Sequence, residues 1–192
     1  MKIKHRIFIA INLPSDIKKQ LNLYKDKWQE LPAKWTNLGN MHITLEFLGN
    51  LTDEELGEVC MAVKEVSEKH KFFSINLNKI IYGPFQLHLG QAPKMIWAKG
   101  ENSKELSFLK ADLEDKLFKI VRLAPETKLF YPHVTLARII GWEWKKIDPI
   151  ERPEVNENID FVFTVESIEV MESVFKKSGP EYTVIESHNL KV

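Results

Sequence analysis

The chain has 192 residues and a single cysteine, Cys60. A lone thiol excludes an internal disulfide framework and fits a reducing compartment. Its place in an amphipathic stretch reads as a small buried hydrophobe. An excess of one charge is also missing, since 27 Lys and Arg are matched by 27 Asp and Glu. Without a broad positive field, any contact with nucleic acid has to be local and directed at an end. No run approaches the roughly 20 apolar residues of a membrane helix. Ile7 to Leu13 is too short, and at Asn12 too polar, for a signal peptide, so a cytoplasmic protein is expected. HExxH and His-x-His patterns are absent, which argues against zinc. The lack of an RNP1-like Gly-aromatic string argues against a non-catalytic RNA-end-binding module.

What is present is ordinary in bulk, with 44% hydrophobic and 28% charged residues, enough for one domain or two small lobes sharing a core. Ile7–Ile11 reads as a buried strand closed by Pro14. Ser15 opens a helix whose apolar stripe runs Ile17, Leu21, Tyr24, Trp28 and Leu31 up to Pro32. His42–Leu48 is the next strand, stopped at Gly49-Asn50. Thr52 and Glu55 form a capping box for a helix bearing Leu56, Val59, Val63 and Val66. Phe72–Tyr82 alternates as a third strand.

The order then returns. Lys94–Ala98 reads as a strand. Asn102 with Glu105 resembles a capping box for a helix carrying Leu106, Leu109, Leu113, Leu117 and Ile120. Tyr131–Ile140 is a strand, and Gly141–Asn158 holds at most a short helix. Phe161–Met171 reads as one long strand, with Glu181–Glu186 pairing to it across Ser178-Gly179-Pro180. The expectation is an α+β fold of residues 1–192, with an internal repeat over roughly 6–83 and 94–171. Two pseudo-symmetric sheet-and-helix lobes would then enclose a central cleft.

Two short stretches carry the chemistry. Met41-His42-Ile43-Thr44-Leu45 recurs as Pro132-His133-Val134-Thr135-Leu136, 91 residues on (42 to 133). Strand alternation sends His42, Thr44, Glu46 and Leu48 to one face and Ile43, Leu45 and Phe47 to the other. In the second copy His133, Thr135 and Ala137 oppose Val134, Leu136 and Arg138. Imidazole titrates near neutrality, so two of them can divide the work of accepting and donating a proton. The threonine hydroxyls can donate to non-bridging phosphate oxygens. Such a site asks for no metal and no cofactor, and suits an already reactive phosphodiester. Near symmetry of the copies leaves the acid and base roles open.

At these residues the chain resembles the two-histidine (2H) phosphoesterases, and within them the RNA 2′,3′-cyclic phosphodiesterases, also called 2′-5′ RNA ligase-like proteins. The resemblance covers almost the whole chain. It runs through Arg6-Ile7-Phe8-Ile9-Ala10-Ile11, Trp35, Asn40 to Gly49, Tyr131 to Arg138, Met171-Glu172-Ser173 and Tyr182. It implies a bilobal fold and hydrolysis of RNA 2′,3′-cyclic phosphate ends to 2′-phosphomonoesters, with reverse 2′-5′ ligation as a side activity. His42 would be the proton donor, His133 the proton acceptor, and Thr44, Thr135 and Arg138 the phosphate ligands. Arg138 needs a bulge, a strand end or a long reach to join His133. Phe8 and Trp35 are candidates for stacking on a terminal base. The expected partners are RNA ends, including tRNA fragments, or nucleotides, met by a monomer. A relative acting on small cyclic nucleotides is the alternative. His5, His70, His88 and His188 are expected to be surface or packing residues.

Overall fold

Alternation along strand β1 (His5–Asn12) sends Ile7, Ile9 and Ile11 to one face, where all are buried, and Arg6, Phe8, Ala10 and Asn12 to the other. The computed structural model describes residues 4–84, 92–121, 130–177 and 179–192. After β1 come helix α1 (Ser15–Asn22), strand β2 (Ala33–Trp35), strand β3 (His42–Leu51), helix α2 (Asp53–Ser67) and strand β4 (Phe73–Gly83). Then follow β5 (Met95–Gly100), α3 (Lys104–Leu117), β6 (His133–Ile139) and the short helix α4 (Gly141–Trp144). Strands β7 (Asn156–Val165), β8 (Ser167–Lys176) and β9 (Gly179–Asn189) complete the chain. This is the expected α+β class.

The capping box of α2 is present, with the Glu55 backbone N–H donating to Thr52 Oγ1 at 3.3 Å and the Thr52 N–H donating to Glu55 Oε2 at 2.8 Å. Four local expectations are corrected. Ser103, not Asn102, caps α3, accepting from the Leu106 N–H at 3.1 Å. Helix α1 stops at Asn22 and passes into a 3₁₀ turn over Leu23–Asp26. Trp28 and Leu31 still reach the core, from outside the helix. The single strand over Phe161–Met171 is two strands meeting at Glu166. Strand β2 pairs with the far end of β6, at Ala33↔Ile139 and Trp35↔Ala137, where no strand was expected.

Eight of the nine strands lie in the order β7-β4-β5-β6-β3-β1-β8-β9, every neighbouring pair antiparallel. The two halves, β3-β1-β8-β9 and β6-β5-β4-β7, are joined in β-ladder register at one residue pair, Ile43↔Val134. Each half has a His-x-Thr strand at this seam and the strand that opens its repeat beside it. The third strands are exchanged: β4 joins the half built on β5 and β6, and β8 joins the half built on β1 and β3. Six strand spacings separate β7 from β8 along the order, about 29 Å on a flat sheet. Only Glu166 links them in the chain, so the sheet bends strongly to bring them together. One contiguous core lies on the helix-covered face, from Ile7, Ile9 and Ile43 through Ile96, Val134 and Leu136. A small separate cluster, Phe8, Ala10 and Met171 with Tyr182, sits on the helix-free face, called the cleft face below.

Candidate active site

Ile43 and Val134, the pair that joins the halves, are both fully buried on the core face. Their neighbours therefore point to the cleft face. Antiparallel register about this pair sets His42 across from Thr135 and Thr44 across from His133. One backbone contact thus brings both motifs together.

Each ring is fixed in the same way. His42 Nδ1–H donates to the Asn40 carbonyl at 2.8 Å, and His133 Nδ1–H donates to the Tyr131 carbonyl at 2.8 Å. A carbonyl only accepts, so both neutral rings carry their proton on Nδ1 and their lone pair on Nε2. Thr44 Oγ1–H donates to that lone pair in His42, at 3.0 Å. The local carbonyl two residues upstream sets each tautomer, which is why the same residue pattern gives the same ring twice.

The surroundings of the rings differ. Phe8 lies 4.9 Å from His42 by ring centroids, and Tyr182 meets its edge at 5.1 Å. Burial among these rings pushes the His42 imidazole down from 6.5 to about 4. The Asn40 carbonyl opposes this, and the charges of Lys18 and His133 add smaller pushes in the direction of burial. His133 instead lies under the indole of Trp97, ring centroids 4.0 Å apart. Gly83 makes room for that indole, since a Cβ there would come within 2.2 Å of it.

A β-bulge follows the threonine in both copies. Opposite β1, Thr44 and Glu46 pair with consecutive residues Ala10 and Ile9, so Leu45 is the extra residue. Opposite β5, Thr135 and Ala137 pair with Trp97 and Ile96, so Leu136 is extra. The bulge reverses the alternation expected from sequence. Glu46 does not share the His42 face. It turns into the core, where Lys110 Nζ donates to Glu46 Oε2 at 2.9 Å and to the Leu45 carbonyl at 3.0 Å. Phe47 comes out onto the cleft face at 68% exposure, paired with Phe8. By the same step Ala137 is buried and Arg138 emerges, exposed, on the face of His133 and Thr135.

Of the two stacking candidates, Phe8 is 3% exposed, its ring covered by His42, Tyr182 and Phe47, so it builds the site wall and is not open to a base. Trp35, half-buried, pairs with the buried Ala137 and packs against the main core. Trp97 and Lys18 are site residues that sequence reading passed over, and Tyr182 entered it only as part of the resemblance, with no role given. Trp97 pairs with Thr135 as Ala10 pairs with Thr44, so the second repeat carries an indole where the first carries only a methyl group, and comparing the two copies gives no signal for it. Tyr182 comes from a distant hairpin and has no local signal. Of the remaining histidines, His5 bridges Asp53 and Glu172, His70 contacts Asp112, and His188 lies near Glu186 at 3.2 Å. His88 lies outside the described residues, as does Ser178 of the expected hairpin turn. Among the described residues no three His, Cys, Asp or Glu side chains converge as metal ligands, and no helix is long and apolar enough to cross a membrane. Cys60 is buried and its thiol is pushed up to about 11, first by burial and then by Glu186.

The model of the LigT-like phosphoesterase family matches residues 11–87, which contain the first His-x-Thr copy. A protein of Aquifex aeolicus named RNA 2′,3′-cyclic phosphodiesterase is 28% identical over 91% of this chain and 87% of its own. One of the same name from Methanocaldococcus jannaschii is 25% identical over 94% of this chain and 98% of its own. The chain is thus similar to the LigT-like phosphoesterases, through the family model in its first half and through these relatives over most of its length. The fold is that of the family's solved structures. A Thermus thermophilus protein superposes with a TM-score of 0.80 at 24% identity, covering 97% of this chain and 98% of its own. E. coli LigT, solved with 3′-AMP, gives 0.78 at 19% identity, covering 99% of this chain and 100% of its own. In this LigT-like chain the family match stops before His133, and the seam of the sheet supplies the second motif.

Proposed function

We propose that this protein hydrolyses RNA 2′,3′-cyclic phosphate ends to 2′-phosphomonoesters, using His133 as base and His42 as acid. The observation that carries the reading is the seam at Ile43↔Val134, which sets two Nδ1–H imidazoles and two threonine hydroxyls around one space. In the reaction His133 Nε2 takes a proton from water as its oxygen attacks phosphorus. The P–O3′ bond breaks, and protonated His42 gives its Nε2 proton to the departing 3′-oxygen. Thr44 and Thr135 donate to the non-bridging oxygens, and Arg138 adds positive charge at the rim. The product keeps its phosphate on O2′. The ring strain of the substrate and the two proton transfers supply the acceleration, each transfer typically ~10²–10⁴-fold.

A pKa of about 4 leaves His42 neutral in the empty site at pH 7. The bound phosphodiester anion supplies the missing counter-charge and draws the ring toward its protonated form. Substrate binding thus arms the acid. With a 5′-hydroxyl in place of water, the same two proton transfers open the cyclic phosphate and join the ends through a 2′-5′ linkage.

The direct test incubates the purified protein with a 2′,3′-cyclic-phosphate oligonucleotide in excess EDTA and follows the products by phosphorus NMR. A 2′-phosphomonoester formed at an undiminished rate is expected. A 3′-phosphomonoester, or turnover lost in chelator, rejects the mechanism.

A further inference from the structure

Beside His133 the register of the sheet builds a straight cross-strand row: His133 on β6 pairs with Lys99 on β5, Lys99 with Lys79 on β4, and Lys79 with Asn158 on β7. Directly opposed residues share a face, so the whole row lies on the cleft face. Strand spacing puts the Lys99 and Lys79 backbones about 5 and 10 Å from that of His133. Two lysines directly opposite each other on one face repel, and sequences normally avoid the pairing. Lys99 is further held by the Tyr131 ring, its Nζ 4.7 Å from the ring centroid, one step from the carbonyl that orients His133. Both lysines line a cavity of about 470 Å³, with Asn78 and Glu101 on its wall. Asn78 Nδ2 donates to Glu101 Oε1 at 3.0 Å, which leaves that carboxylate further acceptor capacity for a ribose hydroxyl.

We infer that Lys99 and Lys79 form a track for the phosphates that precede the reacting end, making the preferred substrate a single-stranded oligoribonucleotide and not a cyclic mononucleotide. This rests on the proposed reaction at His42 and His133 and deepens it. The balanced overall charge of the chain makes the row stand out, because the cations needed for a polyanion are gathered where a strand leaving His133 would pass. Lys99, which pairs with His133 across the sheet, joins this cavity to the acid/base pair.

The test is equilibrium binding of a fluorescent hexaribonucleotide ending in a 2′-phosphate, measured by anisotropy from low to high salt, beside the wild-type kinetics. For single strands log K falls with log [salt] by ~0.7 per phosphate contacted. Lys79→Gln should flatten that slope by about 0.7, the Lys79→Gln/Lys99→Gln pair by about 1.4, and Lys79→Arg should keep it. In kinetics, the ratio of kcat/KM for a cyclic-phosphate hexanucleotide to that for a cyclic mononucleotide should fall about tenfold in Lys79→Gln. A slope and ratio equal to wild type in the double variant overturn the track. Absence of turnover in the wild type with the slope change intact overturns the reaction and leaves the track standing.

Discussion

Because an imidazole in apolar surroundings loses more by carrying charge than by shedding it, the rings of Phe8 and Tyr182 around His42 set both its chemistry and a stability. Burial holds its folded-state pKa at about 4 against 6.5. Between these values the unfolded chain binds more protons than the folded one. The contribution is therefore whole above pH 6.5 and is lost as pH falls through 4, on the order of 3 kcal/mol at most. His5, raised by its bonds to Glu172 and Asp53, works in the opposite sense: its share is whole below 6.5 and fades as pH rises through its raised value. Proton NMR of the His42 ring should titrate near 4 in the free protein and move upward when inorganic phosphate or a 2′-nucleotide is added. A ring titrating near 6.5, unmoved by ligand, would contradict the arming of the acid by its substrate. Replacing either His42 or His133 with Ala should cut kcat by ~10²–10⁴ while circular dichroism stays that of the folded protein. If only one of the two replacements matters, proton transfer is not shared between them.

At the scale of an element, the bulge after each threonine decides what reaches the site, and the first copy is clamped by an ion group that the second lacks. Lys110, on the buried face of α3, holds the Leu45 carbonyl, Glu46 and Glu114, the last at 2.6 Å. Its burial acts to lower its pKa, and the carboxylates of Glu114 and Glu46 more than reverse that, keeping it charged. At the matching place in the second copy stand Leu136 and Ala137, both fully buried, so apolar packing does the same task. Lys110→Met strands Glu46 in the core and should cost on the order of 2–3 kcal/mol in urea unfolding. Adding Glu46→Leu should recover most of it, since the second copy shows that an apolar bulge can stand there. A loss that the second change does not touch would mean Glu46 is not the stranded group. These elements also mark how far sequence reading carries. The His-x-Thr strands, the α2 capping box and the core isoleucines are local patterns with a fixed period, and all were legible. Glu46, Phe47 and Arg138 were put on the wrong faces because alternation is a rule for regular strands, and a bulge is decided by the partner strand. Tyr182 and the split at Glu166 depend on contacts far apart in the chain, which no local window contains.

For the whole molecule, the exchange of β4 and β8 makes each half of the sheet depend on both halves of the chain. A plain duplication read from sequence gives two units that could each fold alone, and the order of helices and strands fits that picture. Pairing between distant strands is what overrides it. The first half of the chain supplies β1 and β3, which need β8 on one side, and β4, which pairs only with β5 and β7. Cut between β4 and β5, the first fragment therefore keeps β4 with no strand to pair, and β1 with one open edge. The common core runs through both halves as well, so neither fragment can close it. We expect the intact chain to unfold in urea in one step, with tryptophan fluorescence and far-ultraviolet circular dichroism following the same curve. Residues 1–92 and 93–192 made separately should be unfolded, and mixing them should restore the sheet and with it the turnover of cyclic phosphate. A fragment that folds cooperatively by itself, or two separated transitions in the intact chain, would show that the exchanged strands are not what unites the halves. The catalytic pair depends on this unity, because His42 and His133 meet at the one residue pair where the halves join in register. The seam and the sheet are therefore lost together, and activity should fall along the same urea curve as fluorescence and circular dichroism.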